Sequence, residues 1–481
     1  MMPTDVCEVA IVGGGPAALA AAIAMSAYGL DICLIDEQPR LGGQIYRQPP
    51  VGFRVQSWLA GRVYERGKAL LGRAERLTSL HHIAPATVWG LFASEPGLDA
   101  AGGHDILYEQ DGQLGRVRAR HVLLATGCYE MPVPFPGWHL PGVMSAGGIQ
   151  TLLKSQRVAA GGTIVLAGSH PLLLIAAEQL LQAGVRIAAV VFSQSTRTAA
   201  RALRAPTAML GAFGQLVQAG HCLWHLRRAG VPVLFGQVVT EALGSDAIEA
   251  VRVGSSDCAG EVREIACDTL GLCFGFLASS ELARQAGAQA AWEPGGGWIM
   301  AADPFMRSSV HGVSVAGELV GVAGAEAAAL SGEIAALGIA VDAGRLEADA
   351  ALARSATSRR RLARIRRFAA LLAAMSSPSP QLLRRLATAE ALVCRCEDVT
   401  VGAVADALSA DGAIASASTV KLLTRVGMGR CQGRMCEVSV RRLIADCRGI
   451  ALSQVEGYVP RAPVKPISLG ALAAAAEMTS R

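Results

Sequence analysis

The sequence has little of several features that mark common protein classes. Aromatic residues make up 5% of the 481 residues and the formal net charge is only +5, a composition that argues against a nucleic-acid-binding protein. Apolar stretches are interrupted by residues such as His170 and Glu178, so no transmembrane helix is expected. The N-terminus carries an acid rather than a basic cluster, which argues against a secretory signal and for a cytoplasmic protein.

The sequence also lacks a disulfide framework and a redox-active C-x-x-C pair. Eight of the 12 cysteines occur singly. Cys33 and Cys273 lie in apolar, strand-like runs and are interpreted as core residues. Cys128 follows a glycine and is interpreted as a packed thiol, with a place beside a redox cofactor as the alternative. No dithiol of the kind that disulfide reductases use is therefore predicted.

The other four cysteines form two pairs near the end of the chain. Cys394 and Cys396 make a C-x-C pair, and Cys431 and Cys436 make a C-x4-C pair. Four soft thiolates of this kind suit zinc or an iron–sulfur cluster. Structural thiols without a metal are the third interpretation, and the spacing alone leaves all three open.

The first 45 residues predict a dinucleotide site. An apolar strand ends in a glycine turn, an alanine-rich helix follows, and a second strand ends in two acids. The G-x-G-x-x-G/A pattern gives a tight turn, close approach of a pyrophosphate, and close packing of helix on strand, while the terminal acid is placed to bind a ribose. The predicted cofactor-binding residues are Gly13, Gly15, Pro16, Ala17, Ala18, Asp36, Glu37, Gly43 and Gln44.

Two later segments extend this site. One strand runs into Ala125, Thr126 and Gly127, and another ends at Gly317 and Glu318. With the N-terminal segment they resemble the two-dinucleotide-domain flavoproteins that include glutathione and thioredoxin reductases. The resemblance implies an α/β fold and FAD, with all five residues near the cofactor. That family has Asp where this chain has Glu318, and an extra methylene of about 1.5 Å implies an altered or water-mediated contact to FAD.

The counterpart of a second, NAD(P)H-binding fingerprint is degenerate. Gly168 keeps the first glycine, but His170 and Leu173 stand at the second and third positions. A Cβ atom and ring at His170 would occupy the space where a pyrophosphate touches backbone, and the next strand ends without an acid. We therefore expect no normal nicotinamide site. A different anion site at His170 is the alternative.

The region around the four cysteines resembles the bacterioferritin-associated ferredoxin-like [2Fe-2S] domain. Helical segments separate the two cysteine pairs, and glycines 427, 429 and 433 would let backbone amides approach the sulfurs. The resemblance implies a small C-terminal helical domain in which Cys394, Cys396, Cys431 and Cys436 bind the cluster. The family has C-x-x-C where this chain has C-x4-C. The assignment of the fourth ligand is therefore the part of the resemblance that the family pattern does not support.

As a whole, the sequence resembles the α subunits of hetero-oligomeric amino-acid and opine dehydrogenases. This family includes opine oxidase, hydroxyproline and proline dehydrogenases, and hydrogen cyanide synthase; RLGGQIYRQ, PGWHLPGVMSAGG and VAGELVGVAGAE carry the likeness together with the cysteine segments. The resemblance implies an oxidoreductase subunit that relays electrons through FAD and a [2Fe-2S] cluster. The implied partner is an oxidase-like flavoprotein β subunit, and a further candidate partner is a small ferredoxin-like subunit. Membrane association, if present, would be peripheral and through partners.

The predicted organisation has five parts. Residues 1–155 and 296–345 form a discontinuous FAD domain, 156–295 a degenerate NAD(P)-type domain, 346–390 a basic helical linker, 391–455 the [2Fe-2S] domain and 456–481 an extended tail. The linker contains a cluster of arginines, interpreted as a solvated helix face, and two prolines that interrupt the helix.

Two other functions remain open, and no catalytic residue is assigned. One is a stand-alone NAD(P)H-dependent flavoprotein reductase, which the altered second fingerprint disfavours. The other is a non-catalytic nucleotide-binding scaffold, for which Glu318 is the best argument. The substrate and the final electron acceptor do not follow from the sequence.

Overall fold

The computed structural model describes residues 4–55, 62–94, 103–195, 213–257, 261–293, 295–410 and 412–479. The chain forms two compact units. The first comprises Met1–Tyr129, Leu277–Arg366 and Val459–Arg481, and the second comprises Glu130–Phe276 and Arg367–Tyr458. This division is coarser than the five predicted parts. The boundary after Tyr129 precedes the predicted boundary at residue 155, and the boundary before Leu277 precedes the predicted boundary at residue 295. The division groups the second dinucleotide-type region with the C-terminal cysteine region.

Helices make up much of both units. They are α1 (Pro16–Ser26), α2 (Arg62–Ala74), α3 (Ala146–Thr151), α4 (Leu172–Gln182), α5 (Phe213–Arg228), α6 (Glu281–Gln285), α7 (Ala325–Asp342), α8 (Ala348–Ser376), α9 (Pro380–Leu386), α10 (Val401–Ala410), α11 (Ala417–Thr424), α12 (Glu437–Arg448) and α13 (Leu469–Thr479). A π-helical turn follows α3 at Leu152–Gln156, and 3₁₀ turns lie at Gly317–Val320 and Leu452–Gln454.

The strands are mostly short. They are β1 (Thr4–Val12), β2 (Ile32–Ile35), β3 (Leu80–Ile83), β4 (Thr87–Ala93), β5 (His104–Gln110), β6 (Gln113–Leu124), β7 (Cys128–Glu130), β8 (Val143–Ser145), β9 (Thr163–Gly168), β10 (Arg186–Phe192), β11 (Val233–Phe235), β12 (Gln237–Leu243), β13 (Ala250–Ser255), β14 (Arg263–Ala266), β15 (Thr269–Cys273), β16 (Phe276–Ala278), β17 (Ala290–Glu293), β18 (Gly297–Met300), β19 (Val313–Val315), β20 (Leu392–Cys394) and β21 (Val399–Thr400).

The first unit is built on a sheet of order β3-β2-β1-β6-β5-β4, with β19 paired to β6. Its central strands β3, β2, β1, β6 and β19 are parallel, whereas β5 and β4 are antiparallel to their neighbours. The end of β1 is buried on both faces, and such continuous apolar runs are typical of parallel strands covered by helices. Val12 pairs with both Ile35 and Leu124, so three strands end together at one edge of the sheet.

Helices α1 and α7 pack closely in this unit because both are rich in small residues. Ala17, Ala18 and Ala22 of α1 are buried. A Cβ atom at Gly332 of α7 would overlap the carbonyl oxygen of Ala17, so glycine is required at that contact. This packing fixes the start of α1, which begins at the glycine turn.

The second unit contains a five-stranded sheet of order β11-β10-β9-β15-β8 and an antiparallel sheet of order β12-β13-β14. In the first of these, β8, β9, β10, β11 and β15 are parallel. Helices α4 and α5 pack over it with buried apolar side chains that include Leu180 and Leu226. The topology is that of a second dinucleotide-type fold, as the sequence predicts.

The cysteine region forms its own small core within the second unit. Helices α10, α11 and α12 contribute Val404, Val420 and Ile444 to it. Arg441 is fully buried and donates hydrogen bonds to the carbonyls of Leu452 and Val455 at 2.7–3.0 Å. These bonds fix the segment that leads to Tyr458.

The predicted tail belongs to the first unit. Val464 N donates to the Trp89 carbonyl at 2.9 Å and Ser468 N to Glu109 Oε2 at 3.2 Å. The prediction of an extended tail over 456–481 is corrected for its last part, because α13 occupies Leu469–Thr479. Alanine has the highest helix propensity, which accounts for the difference. No helix within the described ranges is both long and apolar enough to cross a membrane.

Candidate functional site

The glycine turn after β1 needs glycine at its first position. Gly13 has φ +100°, and a Cβ atom there would lie 2.5 Å from the Ala125 carbonyl oxygen. Gly13 N donates to Ile35 O at 2.8 Å, and Ala125 N donates to Val12 O at 2.9 Å. The turn is therefore fixed between the ends of β2 and β6.

The second glycine of the turn faces open space. A Cβ atom at Gly15 would meet only Gly43 Cα, at 3.9 Å. Pro16 is the first residue of α1, where a missing amide hydrogen costs nothing. Gln44, next to Gly43, donates from Nε2 to the Cys128 carbonyl at 3.4 Å. Gly15, Pro16, Gly43 and Gln44 thus lie together at the start of α1, where a helix N-terminus favours a pyrophosphate, whereas Ala17 and Ala18 are buried in the core.

Asp36 supplies the clearest test of a bound nucleotide. It is 7% exposed, and its Oδ1 atom accepts from Gln38 N at 2.9 Å. Within the described residues, Oδ2 has no hydrogen-bond partner of good geometry. Burial raises the pKa of this carboxyl, and the backbone amide of Gly14 lies near enough to lower it in part. A buried acceptor without a donor is costly, and a ribose hydroxyl would satisfy Oδ2, so the residues fit the adenosine half of FAD.

The residues after β6 form hydrogen bonds with backbone groups of a later segment. Thr126 Oγ1 donates to Ser279 O at 2.6 Å, and Gly127 O accepts from Ser279 N at 2.9 Å. These bonds join the predicted loop to the segment that returns to the first unit. The structure places Ala125, Thr126 and Gly127 next to the turn, and contacts of the Thr126 hydroxyl to FAD stay a prediction.

Glu318 accepts hydrogen bonds from backbone amides of the loop before α7. Its Oε2 atom accepts from Ala323 N at 2.8 Å and Oε1 from Gly324 N at 3.0 Å. Burial raises the pKa of Glu318. The longer side chain, in place of the family's Asp, therefore reaches the N-terminus of α7, where a carboxylate is favoured. Gly317 precedes it with φ +75°, and direct contact of either residue with FAD stays a prediction.

Lys465 is a residue of this site that sequence reasoning missed. Its Nζ atom forms an ion pair with Glu37 Oε1, next to Asp36 at the end of β2. Burial lowers the pKa of Lys465 to about 8, and the nearby Asp36 opposes that effect. The C-terminal segment thus brings a cation to the two acids, and no local motif in the sequence indicates it.

The second fingerprint position holds a half-buried, neutral histidine. His170 Nδ1 accepts from Leu172 N at 3.2 Å, and its ring lies edge-on to Phe276 with centroids 4.9 Å apart. Burial lowers the pKa of His170 to about 4. The imidazole therefore fills the turn before α4 without a positive charge, which disfavours both a pyrophosphate and the alternative anion site.

The four C-terminal cysteines come together as two pairs. Cys394 and Cys436 are hydrogen-bonded to each other, as are Cys396 and Cys431. Cys394 and Cys436 are each 1% exposed, whereas Cys396 is exposed. The C-x4-C spacing is accommodated by consecutive turns in which Arg434 N donates to Cys431 O and Cys436 N to Gly433 O. Cys436 then precedes α12, so the longer spacing still brings the fourth thiol to the others.

The surroundings favour the thiolate form at Cys394, whereas burial raises the pKa of Cys431. The hydrogen bond with Cys436, aided by backbone amides that include Gly427, lowers the pKa of Cys394 to about 5. The same hydrogen bond raises the pKa of Cys436, so the pair shares one proton. At Gly429 a Cβ atom would overlap Cys396 Cβ, which explains a glycine facing the thiols.

The arrangement of the thiols in two pairs is compatible with a two-iron cluster. In a tetrahedral zinc site with Zn–S bonds of 2.3 Å, the sulfurs would be about 3.8 Å apart. Among the described residues, no three cysteine sulfurs lie within 4.8 Å of one another. Two separate pairs match a [2Fe-2S] cluster, in which each iron takes two protein ligands. The donor set therefore fits that cluster.

Comparisons with known proteins match both regions. Residues 7–344 match the pyridine nucleotide-disulphide oxidoreductase family, and residues 392–446 match the BFD-like [2Fe-2S] binding domain. The chain belongs to this oxidoreductase family. Its first domain is of an FAD-binding type and its C-terminal domain is of a [2Fe-2S]-binding type. The fold and the two cofactors predicted from the sequence are thereby confirmed, and the zinc alternative is set aside.

Full-length relatives confirm the predicted subfamily. The chain is 33% identical to an opine oxidase subunit of Agrobacterium tumefaciens (strain Ach5), over 98% of this chain and 92% of the relative. It is 34% identical to the HcnB subunit of hydrogen cyanide synthase from Pseudomonas protegens, over 96% of both chains. A crystal structure of L-proline dehydrogenase from P. horikoshii shares the fold, with a TM-score of 0.72 at 20% identity, over 98% of this chain and 80% of that one. The chain is an oxidoreductase subunit of this family.

Proposed function

We propose that the chain is the electron-transferring subunit of a multi-subunit dehydrogenase that oxidises an amino acid, an opine or a related amine. The observation that carries the proposal is one chain with a nucleotide site that fits FAD, four paired thiols that fit a [2Fe-2S] cluster, and His170 in place of glycine at the second nucleotide turn. FAD can exchange electrons in pairs or singly and a [2Fe-2S] cluster exchanges them singly, so the two groups together would connect a two-electron donor to a one-electron acceptor.

The substrate class comes from the relatives. The relatives with 33–34% identity are named as subunits of opine oxidase and hydrogen cyanide synthase, which supports a C–N bond in the substrate. No catalytic residue for that bond is proposed in this chain. We propose instead that an oxidase-like flavoprotein β subunit oxidises the substrate. A further proposed partner is a small ferredoxin-like subunit.

The chemistry at His170 supports a source of electrons other than NAD(P)H. A nicotinamide cofactor needs close contact between its pyrophosphate and the turn before α4. The neutral imidazole of His170 occupies that turn and accepts the Leu172 amide. Electrons therefore enter from a partner subunit in this proposal.

A cytoplasmic location is part of the proposal. Four of the described cysteines are proposed cluster ligands and the described cysteines form no disulfide, which supports a compartment that keeps thiols reduced. Peripheral contact with a membrane would then come through partner subunits.

The first experiment separates this function from a stand-alone reductase. The purified chain is mixed anaerobically with NADPH and, separately, with candidate amines, and its flavin absorbance is recorded. We expect bleaching by neither alone, and bleaching by an amine once a co-expressed oxidase-like subunit is present. Rapid bleaching by NADPH would support the reductase instead, and strong amine oxidation by the chain alone would exclude the proposed division of labour.

The second experiment tests the relay with two cysteine variants. Cys431→Ser removes one predicted cluster ligand, and Cys447→Ser removes an exposed cysteine outside the two pairs. We expect Cys431→Ser to lose the visible cluster absorption and the transfer of electrons from the complex to an external one-electron acceptor. Cys447→Ser should retain both. One zinc and no iron in the native chain would refute the relay.

A further inference from the structure

A group of metal-ligating side chains lies in the second unit, apart from the four paired cysteines. Glu178 of α4 and His221 and His225 of α5 each offer one ligand atom, and these atoms all lie within 4.8 Å of one another. The two histidines are four residues apart, so they lie on one face of α5. Neither cofactor of the proposed function uses these residues.

The distances suit a single ion. His221 Nε2 and His225 Nε2 are 3.1 Å apart. Two nitrogens bound to one zinc at 2.0–2.1 Å would be about 2.9–3.4 Å apart for bond angles between 90° and 109°. Glu178 Oε1 lies 3.2 Å from His221 Nδ1 and 4.0 Å from His225 Nε2. His221 can offer only one of its two ring nitrogens to an ion. With one ligand atom taken from each residue, the three atoms all lie within 4.8 Å of one another, so side-chain rotations bring them onto one ion.

The carboxylate is oriented by a buried thiol. Cys222 Sγ donates to Glu178 Oε2 at 3.0 Å, which leaves Oε1 facing the two imidazoles. Cys222 is fully buried, so its side chain holds this position against the carboxylate. Such hydrogen bonds to a ligating carboxylate are the usual support of a metal ligand.

The cluster also has fixed supports and an open side. Cys222 and Leu226 of α5 are fully buried against the core of the second unit. The Trp224 ring lies edge-on to His225, with centroids 4.9 Å apart, and limits its rotation. The Glu178 side chain is 14% exposed, but that of His221 is 61% exposed, so solvent reaches the ligands.

We propose that Glu178, His221 and His225 form a binding site for a divalent ion of the zinc class. Two imidazoles and one carboxylate are ligands for Zn²⁺, Ni²⁺ or Co²⁺ rather than for Mg²⁺. Three protein ligands leave the fourth position of a tetrahedral ion for water or for a donor atom of another molecule. Cys222 is a positioning residue of this site.

The test uses the cofactor-loaded full chain, so that the four paired thiols are already occupied. Bound zinc is measured by elemental analysis after equilibrium dialysis against Zn²⁺ alone, and iron is measured in the same samples. We expect the native chain and the control His311→Ala, which removes an exposed histidine elsewhere, to bind one more zinc than His221→Ala or His225→Ala. The iron content should be equal in all four.

The outcome that overturns the proposal is equal zinc content in the native chain and both histidine variants at equal iron content. A zinc that is lost in Cys431→Ser but kept in His225→Ala would assign the ion to the cluster thiols and also refute the site. If the histidine variants fold poorly, Cys222 provides the second test. Cys222→Ala should weaken zinc binding by about tenfold, and Cys222→Ser, which keeps a donor to Glu178, should restore it; unchanged affinity in both refutes the proposed orientation.

Discussion

Lys465 Nζ and Glu37 Oε1 form an ion pair that ties the C-terminal segment to the end of β2 in the first unit. Glu37 follows Asp36, whose Oδ2 atom has no hydrogen-bond partner of good geometry among the described residues. The cation thus stands beside the two acids that are predicted to meet the adenosine half of FAD. We therefore predict that the C-terminal segment contributes to the nucleotide site.

Loss of this cation should weaken FAD binding. In Lys465→Ala, Glu37 loses its ion-pair partner and Asp36 loses a nearby positive charge. The Glu37 side chain is 42% exposed, so the effect should be that of a surface pair, about two- to fivefold in the Kd of FAD. The Kd is measured from the fluorescence of released FAD. Lys68→Ala, which breaks only a pair with Glu65 on α2, is the control; equal Kd values in both would contradict the assignment.

Two neighbouring glycines should respond differently to alanine. A Cβ atom at Gly14 would overlap Asp36 Oδ2, the end of a side chain that can rotate, whereas one at Gly13 would lie 2.5 Å from the Ala125 carbonyl at φ +100°. Gly14→Ala should therefore turn the carboxylate away and weaken FAD binding by about tenfold or more, with little change in Tm. Gly13→Ala should lower Tm or prevent folding. Flavin content and thermal unfolding measure the two effects, and unaltered flavin affinity in Gly14→Ala would argue against Asp36 as a ribose ligand.

Local motifs account for what the sequence predicts well. The turn at Gly13 and the acid at Asp36 lie in one short strand–helix–strand segment, and their roles follow from backbone geometry. Lys465 could not be predicted in this way, because it reaches Glu37 across 428 residues of sequence. The pairing of His221 with Glu178 likewise depends on how α5 packs on α4, and neither residue belongs to a motif. The substitution at Glu318 was recognised, but its hydrogen bonds to the amides before α7 became visible only in the fold.

Tyr458 should tune the potential of the cluster. Its hydroxyl lies 3.7 Å from Cys436 Sγ and 3.3 Å from the Val426 carbonyl. The single hydroxyl proton is donated to Val426 O in this structure. A ligating thiolate has no proton to donate, so in the cluster-loaded chain we expect the hydroxyl to turn its proton toward Cys436, and such bonds stabilise the reduced cluster. Tyr458→Phe keeps the ring and should make the midpoint potential more negative, by roughly 20–60 mV for one hydrogen bond. A redox titration followed by electron paramagnetic resonance measures it, with Tyr28→Phe as control; identical potentials in both variants would refute the role.

His170 should make the second unit sensitive to mild acid. Its pKa is lowered by burial from 6.5 to about 4 in the folded chain, so between these values the unfolded chain binds the proton and the folded chain does not. Stability is therefore highest above pH 6.5 and falls as the pH decreases toward 4, by at most about 3 kcal/mol for this group.

His170→Asn keeps an acceptor for the Leu172 amide but does not titrate. Between pH 7.5 and 5 its Tm should fall less than that of the native chain, whereas the Tm of the control His139→Asn, at an exposed position, should fall by as much as that of the native chain. Parallel curves for the native chain and His170→Asn would mean that the imidazole is protonated in the fold, and a positive charge at this turn would again favour an anion there.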